Sequence, residues 1–304
     1  METAAIGLRL VQYLTGSALF GTALFLVYGF RGTTTPRLRW PRPLLAASAA
    51  TLALAALLSL LVQTATMAGD PAAARDPELL GMVAGETAFG AATLMRAAAG
   101  ALAAGSCLLL RAGRGLWVTA GGFGAVALAT FAWTGHGAAE PGVAGLVHAA
   151  ADVLHLLAAG LWMGALVAFA ALLSGRGGSE ARSRATHRAL ANFSGAGSLI
   201  VATLVLTGLV NSWFLVGPDR ILDMASSTYG ALLLVKLGLF AGMLGLAAYN
   251  RLRLTPALAW GLAAGRPSAP LGDLRRSVLI EFVVGFAVLG LVAVLGTLPP
   301  VSAS

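Results

Sequence analysis

The chain has 304 residues, 58% of them hydrophobic and 11% charged, with a mean hydropathy of +0.84. Soluble domains carry about 25% charged residues, so this composition excludes a soluble globular protein and indicates an integral membrane one. The formal charge of +8 rests almost wholly on arginine, with Lys236 the single lysine. Those arginines stand between apolar runs, where they set orientation in a bilayer rather than form a nucleic-acid surface. Cys107, the one cysteine, excludes an internal disulfide and any multi-cysteine zinc or iron–sulfur centre. No cleavable leader is evident, because the first apolar run is as long as a span and lacks a small-residue cleavage site.

A membrane-crossing helix needs about 20 apolar residues, and about eight such runs follow one another. The first extends from about Ile6 to Phe30 and leads into Arg31, Arg37, Arg39 and Arg42. The second, about Pro43 to Ala68, delivers the chain to an acidic loop with Asp70, Asp76 and Glu78. The stretch from Leu79 to Gly90 is too short and glycine-interrupted to span, and reads as a helical turn or two at the surface. The third span, about Ala91 to Leu110, ends at Arg111 and Arg114; the fourth, about Leu116 to Thr134, leads to His136 and Glu140. The fifth, about Val143 to Leu173, exits into a loop with Arg176, Arg182, Arg184, His187 and Arg188. The sixth, about Phe193 to Val216, is followed by Asp219 and Asp223, and the seventh, about Tyr229 to Asn250, by Arg251 and Arg253. Arg266, Arg275 and Arg276 precede the eighth, about Val278 to Leu298.

Loops after the odd spans therefore hold nearly all the arginine, and those after the even spans hold the acids. By the positive-inside rule the arginine side is cytoplasmic. The expectation is an all-α polytopic bundle of about eight transmembrane helices, one domain over residues 1–304, with both termini periplasmic.

The fifth span carries the unusual chemistry. At about 100° per residue, His148, Asp152, His155 and Trp162 share one stripe. Ionisable groups at membrane depth are costly and mark a functional pathway by default, so the stripe reads as a metal or ion site, against the alternative of a structural polar seam. Arg96, Lys236 and Arg9 also fall in the outer half. Arg96 and Lys236 are expected as charge partners of Asp152 or Glu86, Lys236 approaching Asp152 at similar depth, while Arg9 snorkels to the headgroups. Tyr229, Lys236, Met243 and Asn250 recur every seven residues as a second polar stripe. Glu281, near the cytoplasmic end of the last span, is expected to pair with an arginine. Gly160 with Gly164, and Gly238 with Gly242, have the spacing that permits close helix approach. Met67, Met82, Met95 and Met224 lie on or near the outer side, where thioether suits Cu(I) and imidazole suits copper or zinc.

The run Asp152-Val-Leu-His155 through Trp162-Met163-Gly164 resembles a signature of the copper-resistance protein D family (CopD, PcoD). So do Gly135-His136-Gly137 before it, the Phe193-Ser194 start of the sixth span, and Tyr229-Gly230 through Lys236 with Asn250-Arg251 and Pro256. The ending from Glu281 to Pro299-Pro300 fits as well. The match covers nearly the whole chain, is best over 130–300, and departs at Ala231, where the family commonly has arginine. The resemblance implies a non-enzymatic inner-membrane protein of copper homeostasis that passes copper, as Cu(I) or Cu(II), from the periplasm inward. It also implies a small periplasmic copper-binding partner of the copper-resistance protein C type.

On that reading copper moves through two stations, because His148 and His155 are roughly 10.5 Å apart along the axis and His148 leans away from His155. The outer station would use His148 with His136 and Met67, Met95 or Met224. The deeper would use His155, with Asp152 as an oxygen ligand or as the acceptor that fixes the imidazole tautomer; Trp162 would close the path by bulk. Three other functions compete. A copper-presenting assembly or resistance factor would bind without transport. A b-type haem protein would need histidines facing each other across the bundle, whereas the membrane histidines lie on one helix. A metalloprotease would need an HExxH pattern, which the sequence lacks.

Overall fold

The structure, a computed structural model, describes residues 1–31, 38–134, 142–174, 180–217, 219–220, 224 and 226–303. Ten α-helices and no strands occur among the described residues. They are α1 (Glu2–Tyr28), α2 (Pro41–Ala68), α3 (Pro77–Glu86), α4 (Ala88–Leu109), α5 (Arg114–Ala129), α6 (Gly142–Leu173), α7 (Glu180–Val216), α8 (Thr228–Tyr249), α9 (Thr255–Ala263) and α10 (Ser268–Leu295). Eight of the helical runs are long and apolar enough to cross a membrane, with α8 and α9 counted as one through the π-helical segment Asn250–Leu254. An even number of spans puts both termini at one end of the bundle, with the arginine-rich loops at the other.

Local chemistry sets several boundaries. Gly69 adopts a left-handed φ of 69° and ends α2. Asp76 accepts from the Glu78 and Leu79 amides to start α3, Thr87 from Gly90 to start α4, and Ser227 from Gly230 to start α8, each satisfying an amide that a helix start leaves without a partner. Two helices begin well before their apolar runs. In α7 the segment read as a loop with Arg184, His187 and Arg188 is already helical, and α10 takes in Arg275 and Arg276. Arginine and alanine are good helix formers in water as in lipid, so the helix outruns the hydrophobic signal.

The bundle is assembled around α1, which packs on α2, α5, α6 and α10. The α1–α6 contact depends on glycine: a Cβ at Gly164 would run into the backbone of Gly21 and Thr22, and one at Gly21 into the Gly160 carbonyl. Thr22 seals the approach by donating to the Gly164 carbonyl at 3.0 Å. The expected packing role of Gly160 and Gly164 is met here. Gly238 and Gly242 differ, facing open space on the exposed side of α8. In the second half α6 leans on α7 and α10, while α8 packs on α10. The side chains of Tyr229, Lys236, Met243 and Asn250 are buried or half-buried, as a sevenfold polar stripe facing inward requires.

Candidate functional site

The polar stripe of α6 is met by a matching face of α7. The helices run antiparallel, and three pairs stack along their contact. His155 Nδ1 lies 2.9 Å from Thr207 Oγ1, Asn211 Nδ2 donates to Asp152 Oδ1 at 3.3 Å, and the His148 ring stacks on Phe214 with centroids 4.6 Å apart. Moving down α6 by three or four residues moves up α7 by the same step, which is what antiparallel helices in register demand. Sequence reasoning missed Thr207 and Asn211. Their signal was present as two polar residues one turn apart in an apolar run, but nothing in one dimension says which neighbour they face.

The hydrogen bonds fix the chemistry of His155. Thr207 Oγ1 donates its single proton to the Thr203 carbonyl at 2.6 Å, so toward His155 it accepts. Nδ1 of the neutral imidazole then carries the proton, and Nε2 carries the lone pair a metal would use. The tautomer is set by Thr207 and not by Asp152, which turns instead to Asn211. The His155 ring lies against Gly208, where an added Cβ would sit 3.6 Å from Cε1. Asn211 Oδ1 is buried without a hydrogen-bond partner, leaving a second oxygen donor beside the Asp152 carboxylate.

Lys236 on α8 is half-buried and close enough for its charge to act on both Asp152 and His155. Among the described residues it forms no ion pair within 4 Å with Asp152. His148 is 3% exposed. His136 lies outside the described residues. Met67 and Met95 are 61% and 55% exposed, on α2 and α4, helices that do not pack on α6. Met224 packs against the small apolar cluster of Val216, Tyr229, Leu233, Leu295 and Val301. The structure thus brings together His155, Asp152, Thr207 and Asn211, with Lys236 nearby, and does not bring Met67 or Met95 to them. No group of three His, Cys, Asp or Glu side chains suited to one metal ion occurs among the described residues.

Below His155 the stripe ends at Trp162, whose Nε1 donates to Glu281 Oε1 at 2.7 Å while Asn250 Nδ2 donates to Oε2 at 2.9 Å. The expected arginine partner of Glu281 is therefore replaced by an indole and an amide. Because α10 starts at Ser268, Glu281 lies near its middle and is buried, whereas Arg275 and Arg276 are exposed near its start. Trp162 is thereby held in one orientation and is buried.

Arg96 also departs from expectation. It meets neither Asp152 nor Glu86, which is exposed. Its guanidinium donates to Gln12 Oε1 at 2.7 Å, Thr130 Oγ1 at 2.9 Å and Thr134 Oγ1 at 3.4 Å, over the Phe131 ring at 3.5 Å. Arg9, expected to snorkel outward, donates to the Thr134 carbonyl at 3.2 Å. Helices α1 and α4 and the segment Thr130–Thr134 after α5 gather these arginines into a cluster of their own.

Two family models match the chain: copper resistance protein D-like, N-terminal domain, over residues 1–146, and copper resistance protein D over residues 187–295. Copper resistance protein D of Pseudomonas syringae pv. tomato is 39% identical over 303 residues, covering 98% of this chain and 97% of that protein. Copper transport protein CutJ of Bacillus subtilis (strain 168) is 31% identical over 299 residues, 96% of this chain and 52% of CutJ, so the chain spans about half of that relative. No solved structure matches.

Proposed function

The chain belongs to the copper resistance protein D family, and from that premise we propose that copper is its substrate, bound on the α6–α7 ladder and moved toward the cytoplasm. It is a multi-pass bacterial membrane protein of copper homeostasis. With the arginine-rich loops cytoplasmic and the termini periplasmic, the stripe from His148 to His155 descends from the periplasmic side. A periplasmic copper-binding protein of the copper-resistance C type would deliver the ion to His148, with His136 shortly before α6 in the chain and Met224 shortly after α7 as further candidate ligands.

The observation that carries this reading is the committed Thr207 hydroxyl, which leaves His155 Nε2 as a lone-pair donor beside the oxygens of Asp152 and Asn211. That donor set is nitrogen and oxygen without thioether, and by ligand softness it favours Cu(II) over Cu(I). Partners that fix a ligand's tautomer typically matter 10–100-fold for metal affinity. Thr207→Val should therefore weaken Cu(II) binding to the purified protein by about that factor, with Thr207→Ser close to wild type and His155→Ala weaker still. Copper uptake into proteoliposomes should fall in the same order. Folded His155→Ala protein that binds and moves copper like wild type would sink the pathway. Binding that follows this order with no uptake even in wild type would instead identify a copper-presenting factor.

A further inference from the structure

We propose that a second site, distinct from the α6–α7 ladder, binds a phosphate group between the guanidinium groups of Arg9 and Arg96. A cavity of about 270 Å³ opens at the termini-bearing end of the bundle, between α1, α2, α4, the segment after α5 and the end of α10. Arg9, Gln12, Ser59, Gln63, Arg96 and Thr297 line it. Arg96 is 2% exposed, and every oxygen it reaches is neutral. An unpaired charge so deep is costly, and Arg9 adds to the cost, because its positive charge acts on Arg96 across the same cavity.

Among the described residues neither guanidinium has an acidic partner within 4 Å. Two like charges converging on one polar space are stabilised by an anion between them. Guanidinium is the side chain best matched to phosphate oxygens, and Arg96 retains two N–H donors beyond the three used above. The space is several times the roughly 30 Å³ share of one water molecule, too roomy for a monatomic ion alone. The seat for Arg9 is also prepared: a Cβ at Gly296 would collide with its Nη1. Phosphate can come from solution or from a phospholipid headgroup at this end of the bundle.

The test uses the full-length protein, extensively delipidated in detergent, with thermal unfolding followed while sodium phosphate replaces sodium chloride at constant ionic strength. A saturable rise in Tm is expected for wild type. The half-saturating concentration should rise at least tenfold in Arg9→Gln and in Gly296→Ala, with Cu(II) binding retained as proof of fold. Native mass spectrometry before delipidation separates the sources: one phospholipid retained by wild type and lost from Arg9→Gln assigns the headgroup, and phosphate-dependent Tm without retained lipid assigns the free ion. A Tm that responds identically in all three proteins, with no retained lipid, overturns the site. Because Cu(II) binding is read separately, failure here leaves the copper reading untouched.

Discussion

At the scale of single residues, hydrogen-bond direction decides more than residue type. His155 is a candidate ligand because Thr207 has already spent its proton on Thr203, not because histidine lies in a membrane helix. Glu281 follows the same logic in reverse. Its carboxyl oxygens receive Trp162 and Asn250, two neutral donors, and no described basic group lies within ion-pair distance. Hydrogen bonds to charged groups contribute about 1.5–3 kcal/mol. Trp162→Phe should lower unfolding stability in detergent by about that amount, and the loss should shrink when Glu281 is already Gln. Equal losses in the two backgrounds would show that Trp162 acts through its edge contact with the Phe240 ring, 6.0 Å away between centroids, and not through the carboxylate.

Helices bring a different constraint, which is how closely two backbones can approach. Between α1 and α6 the approach is set by Gly21, Gly160 and Gly164, and the Thr22 hydroxyl closes it. Gly164→Leu should force the helices apart and cost about 1–3 kcal/mol or more, seen as a loss of folded yield. Gly238→Ala, in open space on α8, should be neutral or gain about 1 kcal/mol from helix propensity. The same GxxxG spacing thus predicts opposite outcomes on the two helices, and a tolerant Gly164→Leu would refute the packing account. The π-helical turn from Asn250 to Leu254 is the other device at this scale. It inserts an extra residue per turn between α8 and α9 and holds Asn250 inward on Glu281 while Arg251 and Arg253 stay exposed.

For the whole molecule the prediction is orientation. The loops alternate in charge along the chain, and arginine-rich loops remain cytoplasmic. In a Cys107→Ala background, Ala72→Cys, exposed on the termini-bearing side, should react with membrane-impermeant thiol reagents in intact cells. Ala112→Cys, exposed on the arginine-rich side, should react only after permeabilisation. The reverse pattern would invert the bundle and with it the proposed direction of copper movement.

Span number, the single polar stripe on α6 and the charge alternation of the loops were legible in the sequence, because hydropathy and charge are properties that each residue carries with it. Helix ends were legible only where apolar character stopped with the helix; α7 and α10 run on through arginine, so their starts were not. Partnerships were decided by the tertiary structure alone. Whether Arg96 meets Asp152 or Gln12, Glu281 an arginine or Trp162, and His155 the carboxylate or Thr207 depends on which helices are neighbours and in what register. Those contacts join residues from 52 to 119 positions apart, and a periodic pattern on one helix holds no information about the rotation of the next. The physical reason is that a helix fixes its own faces through local hydrogen bonds, while the choice of facing partner comes from packing glycine against backbone across the bundle.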